Sequence, residues 1–424
     1  MVRKMKDSGI EWIGEIPEGW ETCLYKYCCS VQPGYPFDSA KFSNSSTDGF
    51  PLIRIRDITS GEIQTYYTGE YPPNYIVTAG DLLVGMDGDF NVRWWNNDAA
   101  LLNQRCCRVT EKDSVLRRFL YYVLPFTLQH INTLTYATTV KHLANGDILN
   151  SFIAFPSLPA QQNIVHYLDT VCSEIDAMLS KTRSSIEEYK KLKQSVITQA
   201  VTKGVRGERE MKDSGVDWIG EIPKEWSTPK IKRLHNGLTD GTHGTFNRID
   251  SGHILLSSKN VREFGIQLGE NESFISEADY NLITANGFPQ KDDVLLCCIG
   301  ASIGRCTLYE FEEAMAFQRS VIFIRCNSLI LPRMMMYDLR SSNTLLQEQL
   351  LVNQSAQAGL YQGLVSEIFI SLPPISEQKE IIAYLDAKCA EIDRLIAKKE
   401  QLVKELEGYK KSLIYEVVTG KREV

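Results

Sequence analysis

The chain has 424 residues, of which 43% are hydrophobic and 23% are charged, a composition typical of a globular protein of about two to four domains. Its net charge of −7 argues against a protein that wraps nucleic acid over its whole surface, although a local basic groove is compatible with an acidic body. No run of about 18 apolar residues occurs, and the first residues lack the apolar core of a secretory signal. We therefore expect a cytoplasmic protein without membrane spans.

The first element along the chain is a segment that occurs twice. Residues 5–20 align without a gap with residues 211–226, and 12 of the 16 positions are identical. Because a stretch that is alike in both halves cannot distinguish two different targets, we interpret its tryptophans as structural anchors. These are Trp12, Trp20, Trp218 and Trp226.

The segments that follow, residues 22–155 and 228–370, are mostly unlike each other but share a pattern of short β-like runs. The runs are 51–58, 80–86 and 104–110 in the first half, and 253–261, 292–300 and 319–325 in the second half. Turns rich in Gly and Asn separate them. Each segment is therefore predicted to form a mixed α/β domain.

Each half ends in a long predicted helix. YLDTVCSEID at 167–176 matches YLDAKCAEID at 384–393, and KQSVITQAVTKG at 193–204 matches KKSLIYEVVTGK at 410–421, both with an offset of 217. Each helix should span roughly 40 residues, or about 60 Å. Pro159 suits a first helical turn and Ser376 suits an N-cap, and Gly204, Gly207 and Gly420 mark the ends.

Apolar residues at steps of 3, 4 and 7 predict one continuous seam along each helix. The seam includes Leu168, Ile175 and Leu192 in the first helix, and Leu385, Ile392, Leu402, Leu406 and Tyr409 in the second. A long helix with one apolar seam needs a partner, and the other copy is the economical choice. We expect the two helices to pack antiparallel, as in a coiled coil, if a pseudo-twofold axis relates the halves.

These elements predict an α/β (α+β) fold, with two globular mixed α/β domains separated by the two long helices. The predicted boundaries are 1–156 and 207–370 for the domains, and 157–206 and 371–424 for the helices.

The sequence lacks the common signatures of enzymes and metal sites. It contains no GxGxxG, Walker A, GxSxG or HExxH motif, and His142, His243 and His253 have no evident nucleophile partner. The 11 cysteines include no Cys-X-X-Cys pair, so we expect no metal site and predict buried, reduced thiols. A hydrolase or methyltransferase with an unrecognised site and a purely structural scaffold remain as alternatives.

Short polar loops next to strand ends carry side chains suited to DNA. Arg and Lys suit guanine, Asn and Gln suit adenine, and all of them can bind phosphates. For Arg105 and Arg319 a structural role is the alternative, since both stand at strand starts. The candidate DNA-binding residues are Arg54, Arg56, Asn91, Arg93, Gln104, Arg105, Thr138, Thr139 and Lys141 in the first half, and Thr242, His243, Lys259, Asn260, Ser302, Arg305, Gln318, Arg319, Gln357 and Tyr361 in the second.

On these features the chain resembles the specificity subunits of type I restriction-modification systems. The resemblance covers nearly the whole chain and rests on the duplicated opening, the GDLLVGMDG…ALLNQR and DDVLLCCIGASIG…AFQR runs, and the LP–YLD–EID helices. It implies two target recognition domains, each recognising one half of a split target in double-stranded DNA. It also implies two antiparallel helices that set the spacer between the halves and dock modification subunits.

The resemblance further implies which partners carry the chemistry. Two modification (methyltransferase) subunits would bind S-adenosylmethionine, and restriction (translocase and endonuclease) subunits would use ATP and Mg²⁺. This chain would then be non-catalytic, without a cofactor of its own and without a membrane partner. The base-contacting residues of the family form no fixed motif, so the resemblance assigns no role to an individual residue.

Overall fold

The computed structural model describes residues 3–134, 141–285, 287–353 and 359–424. The chain divides into two compact units: unit 1 comprises residues 1–182 and 402–424, and unit 2 comprises residues 183–401. Each unit therefore contains part of each long helix, while the predicted domain boundaries stay predictions. Among the described helices, none combines the length and the apolar character needed to cross a membrane.

Unit 1 contains a four-stranded antiparallel sheet of order β10-β9-β12-β4 and a five-stranded mixed sheet of order β5-β7-β6-β11-β8. Its strands are β1 (Met5–Asp7), β2 (Glu15–Pro17), β3 (Glu21–Leu24), β4 (Cys29–Pro33), β5 (Phe42–Ser43), β6 (Phe50–Ile53), β7 (Tyr66–Tyr67), β8 (Ile76–Val77), β9 (Leu82–Gly85), β10 (Val92–Trp94), β11 (Ala100–Leu102), β12 (Cys106–Glu111) and β13 (Phe152–Phe155). Its shorter helices are α1 (Tyr25–Cys28), α2 (Ile55–Ser60), α3 (Arg117–Leu134) and α4 (Asn145–Leu149).

Unit 2 contains the corresponding four-stranded sheet, of order β16-β24-β21-β22, and a three-stranded sheet of order β20-β17-β23. Its strands are β14 (Met211–Asp213), β15 (Glu221–Pro223), β16 (His235–Asp240), β17 (His253–Leu256), β18 (Val261–Arg262), β19 (Gly265–Ile266), β20 (Phe274–Ile275), β21 (Val294–Cys297), β22 (Cys306–Leu308), β23 (Ala316–Phe317) and β24 (Val321–Cys326). Its shorter helices are α6 (Glu277–Ala285), α7 (Pro332–Leu339), α8 (Ser342–Asn353) and α9 (Gln362–Ser366).

The four-stranded sheets are covered on both faces, which explains the uninterrupted apolar runs in their central strands. In β9, Leu82 and Val84 join one hydrophobic cluster while Leu83 joins another. In β21, alternate residues divide between two clusters in the same way. All 11 cysteines are free. The prediction of buried thiols is confirmed for nine of them, whereas Cys23 and Cys326 are half-buried.

Two predicted strands end earlier than expected, for the same local reason in both units. The run 51–58 is a strand only to Ile53, because the buried Asp57 carboxylate accepts the Arg54 N–H (2.8 Å) and starts helix α2. The run 253–261 breaks after Leu256, where Asn260 Oδ1 accepts the Ser257 N–H (3.0 Å). A polar side chain that bonds its own backbone favours a turn over a strand.

The long helices are α5 (Leu158–Lys203), with 46 residues, and α10 (Ile375–Val418), with 44 residues. At 1.5 Å per residue they extend about 69 and 66 Å. Within unit 2 they run antiparallel. Tyr189 of α5 lies against Lys399 of α10, and the later residue Lys193 pairs with the earlier residue Asp393 (Nζ to Oδ1, 2.7 Å). Helix α10 already begins at Ile375, so the prediction of Ser376 as its N-cap is wrong.

The seam is confirmed at most positions but is wrong at three, of which two are equivalent in the repeat. Leu168, Ile175, Leu385 and Ile392 are buried and Leu406 is half-buried, whereas Leu192 is 49% exposed and Tyr409 is 50% exposed. The next residue in each copy, Lys193 or Lys410, faces the other helix instead, in an ion pair with Asp393 or Asp176. A long-range ion pair thus takes the place that the apolar pattern assigned to Leu192 and Tyr409. Leu402, at 43% exposed, also lies outside the seam.

The repeated opening segments pack on the ends of the long helices. Trp20 is buried in one cluster with Val417 and Val418 of α10, and Trp226 is buried in another with Ala200 and Val201 of α5. These helix positions are equivalent under the offset of 217. The interpretation of Trp20 and Trp226 as anchors is confirmed, and Trp12 and Trp218 are half-buried beside them.

A second set of duplicated contacts fixes each mixed α/β domain to a long helix. In unit 1, Asp169 of α5 accepts hydrogen bonds from Arg118 (2.8 Å) and from the Tyr122 hydroxyl (2.5 Å) of α3. In unit 2 the same contacts join Asp386 of α10 to Arg333 (2.9 Å) and Tyr337 (2.6 Å) of α7. The duplicated frame is therefore built from the same side-chain chemistry in both units.

Candidate DNA interface

In unit 1, four chain segments meet at one end of the four-stranded sheet. Strands β4 and β9 end there and β12 begins there, because the strands are antiparallel. The Tyr35 N–H donates to Leu102 O (2.9 Å) and the Gln104 N–H to Tyr35 O (3.0 Å), while the Leu143 N–H donates to Met86 O (2.7 Å). We call this surface platform 1 (residues 34–35, 86–88, 103–105 and 141–143).

Unit 2 builds the same arrangement from different residues. The Thr242 N–H donates to Phe317 O (2.7 Å) and the Arg319 N–H to Thr242 O (3.0 Å), while the Leu360 N–H donates to Cys298 O (2.8 Å). This surface is platform 2 (residues 240–243, 298–300, 318–320 and 359–362). Residues 141–143 and 359–360 therefore occupy matching places, although their sequences are only loosely alike.

A glycine lies at the crossing point of each platform. A Cβ atom on Gly34 would collide with the carbonyl oxygens of Asn103 and Leu102, and one on Gly241 would collide with those of Phe317 and Gln318. Only glycine allows two backbones to approach so closely. The platforms therefore share one backbone geometry, set by the same residue type at the same place.

The side chains on platform 1 form a charged cluster around Asp87. Arg105 Nη1 lies 3.2 Å from Asp87 Oδ2, and His142 Nδ1 lies 2.7 Å from Asp87 Oδ1. Lys141 Nζ donates to the backbone carbonyl of Asn132 (2.9 Å). One carboxylate therefore orients an arginine and a histidine, both largely exposed to solvent.

Platform 2 also contains one aspartate, but its neighbours differ. Asp240 accepts a hydrogen bond from Gln362 Nε2 (2.5 Å), and its other oxygen lies 2.6 Å from His243 Nε2. Arg319 is exposed and Gln318 is half-buried. The two platforms thus match in backbone and differ in the groups that they present.

Comparison with known proteins connects this duplicated surface to a family. A family model described as the type I restriction modification DNA specificity domain matches residues 17–188 and 255–405. The chain belongs to this family. The first matched segment contains all of platform 1 and the second contains most of platform 2, so the match follows the duplication.

Individual members of the DNA specificity family match over nearly the whole chain. The EcoBI specificity subunit of Escherichia coli is 28% identical over 422 residues, covering 95% of this chain and 88% of that protein. The MjaVIII specificity subunit of Methanocaldococcus jannaschii is 25% identical, covering 96% of this chain and 93% of that protein. One chain of a solved type I R-M system has a TM-score of 0.67 at 16% identity, covers 96% of this chain and 99% of its own length, and has the same fold.

Several predicted DNA-binding residues of this family member instead make structural contacts. The Arg93 guanidinium donates to the carbonyls of Ile58 and Thr59 at the end of α2, and Lys259 pairs with Glu272 (3.0 Å). Asn260 is 1% exposed and caps the turn after β17, so its side chain makes a structural contact and its DNA-binding role stays a prediction.

The remaining candidates divide between the platforms and their surroundings. Gln104, Arg105, Lys141, Thr242, His243, Gln318, Arg319 and Tyr361 lie on a platform. The others described lie outside: Arg54 over the Phe42 ring, Arg56 bonded to Thr65 (2.8 Å), Asn91 bonded to Thr59 (3.3 Å), Ser302 bonded to Ile299 O (3.4 Å), and half-buried Arg305. Thr138, Thr139 and Gln357 lie outside the described residues.

Sequence reasoning missed the aspartates that organise the platforms. Asp87 and Asp240 are absent from the predicted DNA-binding residues, yet each orients neighbouring polar groups. The sequence contained a pattern that could have identified them, since each aspartate precedes a glycine at the end of a strand, in MDG and in TDG.

The thiols beside the platforms are not reactive groups. Burial raises the pKa of the Cys298 thiol to about 12, and it raises the pKa of the Cys106 thiol well above its ordinary value. Both therefore stay protonated near neutral pH and are poor nucleophiles. Within the part of the chain that the structure describes, no three His, Cys, Asp or Glu side chains are grouped as metal ligands would be.

Proposed function

We propose that the chain is the specificity subunit of a type I restriction-modification complex, in which each unit recognises one half of a split target in double-stranded DNA. The observation that carries this proposal is the pair of platforms, which share backbone geometry but differ in side chains. Two surfaces with one geometry and different hydrogen-bonding groups suit two half-sites of different sequence.

The partners supply the chemistry. Two modification subunits bind S-adenosylmethionine and methylate the target, and restriction subunits use ATP and Mg²⁺ to translocate and cleave DNA. The chain itself holds no cofactor. The complex acts on DNA in the cytoplasm. Family membership supports this division, because the matched domain is described as one of DNA specificity.

A domain exchange tests the assignment of half-sites. Residues 22–155 are replaced by the corresponding segment of another family member, and the full chain is co-expressed with its modification subunits. Single-molecule sequencing then maps the methylated motif. We expect one half-site to change while the other half-site and the spacer persist, and exchange of residues 228–370 should give the mirror result. A change in both half-sites, or in neither, contradicts the proposal.

The long helices are proposed to set the spacer between the half-sites, since half-site spacing follows from the geometry of the protein. Residues 186–192 of α5 and 394–400 of α10 lie opposite each other in unit 2, as the Tyr189–Lys399 contact indicates. Deleting both segments shortens the helix pair by about 10 Å with little change of helical phase. The spacer should shorten by about three base pairs, or methylation should be lost, and an unchanged spacer refutes this role.

A further inference from the structure

Gln104 and Arg319 occupy the same place on the two platforms. The Gln104 N–H donates to Tyr35 O and the Arg319 N–H to Thr242 O, both at 3.0 Å. The next carbonyl in each chain segment, Arg105 O or Ser320 O, then accepts the N–H of Met86 (2.9 Å) or Cys298 (3.0 Å). Both backbones are therefore held rigidly at the end of a sheet.

The side chains at these two positions are also available for binding. Gln104 and Arg319 are both exposed, and neither makes a side-chain hydrogen bond or ion pair within the described residues. Two polar neighbours are occupied, since Arg105 is held by Asp87 and His243 by Asp240. A rigid backbone with an unoccupied polar side chain presents its hydrogen-bonding groups to a ligand without first losing an internal contact.

The chemistry of the two side chains differs in a way that DNA can distinguish. A Gln amide can donate one N–H to N7 of adenine and accept from N6 with its carbonyl oxygen, whereas an Arg guanidinium donates one hydrogen bond each to O6 and N7 of guanine. We propose that positions 104 and 319 are equivalent specificity-determining positions, with Gln104 selecting adenine in one half-site and Arg319 selecting guanine in the other. This inference rests on the proposed function.

Reciprocal substitutions test the inference. Gln104→Arg and Arg319→Gln are made separately in the full chain, together with Arg248→Gln, an exposed arginine outside platform 2, as the control. Each protein is assembled with its modification subunits and used to select bound sequences from randomised double-stranded DNA. Methylated motifs are mapped in parallel, and thermal unfolding confirms that each variant is folded.

We expect Gln104→Arg to change one position of one half-site from adenine to guanine, with a preference shifted roughly 10- to 100-fold. Arg319→Gln should change guanine to adenine in the other half-site only, and Arg248→Gln should change no base. Folded variants that still select the wild-type bases overturn the inference and leave the proposed function intact. A wild-type complex that selects no split target overturns both.

Discussion

Lys193→Met should destabilise the protein far more than Lys410→Met, although the two lysines are equivalent in the repeat. Lys193 Nζ lies 2.7 and 2.8 Å from the two Asp393 oxygens and also contacts Glu263, and its side chain is only 9% exposed. Lys410 Nζ lies 2.6 Å from Asp176, but there the lysine is 27% exposed and the aspartate 56% exposed. One duplicated ion pair is therefore present in a buried and in a solvated version.

The expected magnitudes follow from this difference. Removing the lysine from a buried pair leaves uncompensated charge and costs about 3–5 kcal/mol. We expect about 3 kcal/mol here, because the two carboxylates that would lose their shared cation, Asp393 and Glu263, stay 24% and 43% exposed to water. An exposed pair contributes about 1 kcal/mol or less, because water and salt screen it. Methionine keeps most of the aliphatic stem of lysine in both variants, so the comparison isolates the charge.

Hydrogen exchange measured by mass spectrometry on the full chain can resolve the two sites. About 3 kcal/mol corresponds to roughly a 100-fold faster exchange, which we expect for Lys193→Met in peptides covering 186–200 and 385–400. Lys410→Met should raise exchange by roughly fivefold or less in peptides covering 168–180 and 405–418. Equal effects in the two variants, or a larger effect at Lys410, would refute the argument from burial.

Four further substitutions test other parts of the structure. Burial raises the pKa of Glu348 from 4.5 to about 8. As the pH rises, the unfolded chain therefore loses this proton before the folded chain does, and the free energy of unfolding falls by up to about 1.4 kcal/mol per pH unit between these values. Glu348→Gln should reduce that slope, as measured by urea unfolding between pH 5 and 8. Gly34→Ala and Gly241→Ala should each cost about 1–3 kcal/mol of unfolding free energy and weaken recognition of a single half-site, as methylation mapping would show. Trp226→Phe removes the hydrogen bond to the buried Glu377 (3.0 Å) and should cost about 1–3 kcal/mol, measured by thermal unfolding, whereas an unchanged melting temperature would contradict a role for that bond.

Features that depend on neighbouring residues were predictable from the sequence. The long helices follow from apolar steps of 3, 4 and 7, and Gly204 and Gly420 adopt the positive φ angles (78° and 73°) that end a helix. The central strands of the four-stranded sheets follow from uninterrupted apolar runs, and the duplication follows from two constant offsets. Together with the quoted motifs, these features carried the resemblance to the family.

The candidate interface was only partly predictable, because a side chain's availability depends on groups far away in the chain. Arg93 and Lys259 have the chemistry of DNA-binding residues, but folding brings the carbonyls of Ile58 and Thr59 to the first and Glu272 to the second. The DNA contacts of Gln104 and Arg319 stay predictions, and only the backbone hydrogen bonds of the platforms revealed that the two positions are equivalent.

The sequence by itself determined the two-fold repetition and the long helices, since these depend on local periodicity and on residue identity, and its motifs carried the resemblance to the family. Only the tertiary structure decided that Lys193 and Lys410, rather than Leu192 and Tyr409, face the opposite helix, because their partners Asp393 and Asp176 lie at least 200 residues away. It also decided that Asp87 and Asp240 organise the two platforms, since hydrogen bonds between distant loops form only when the sheet brings their ends together.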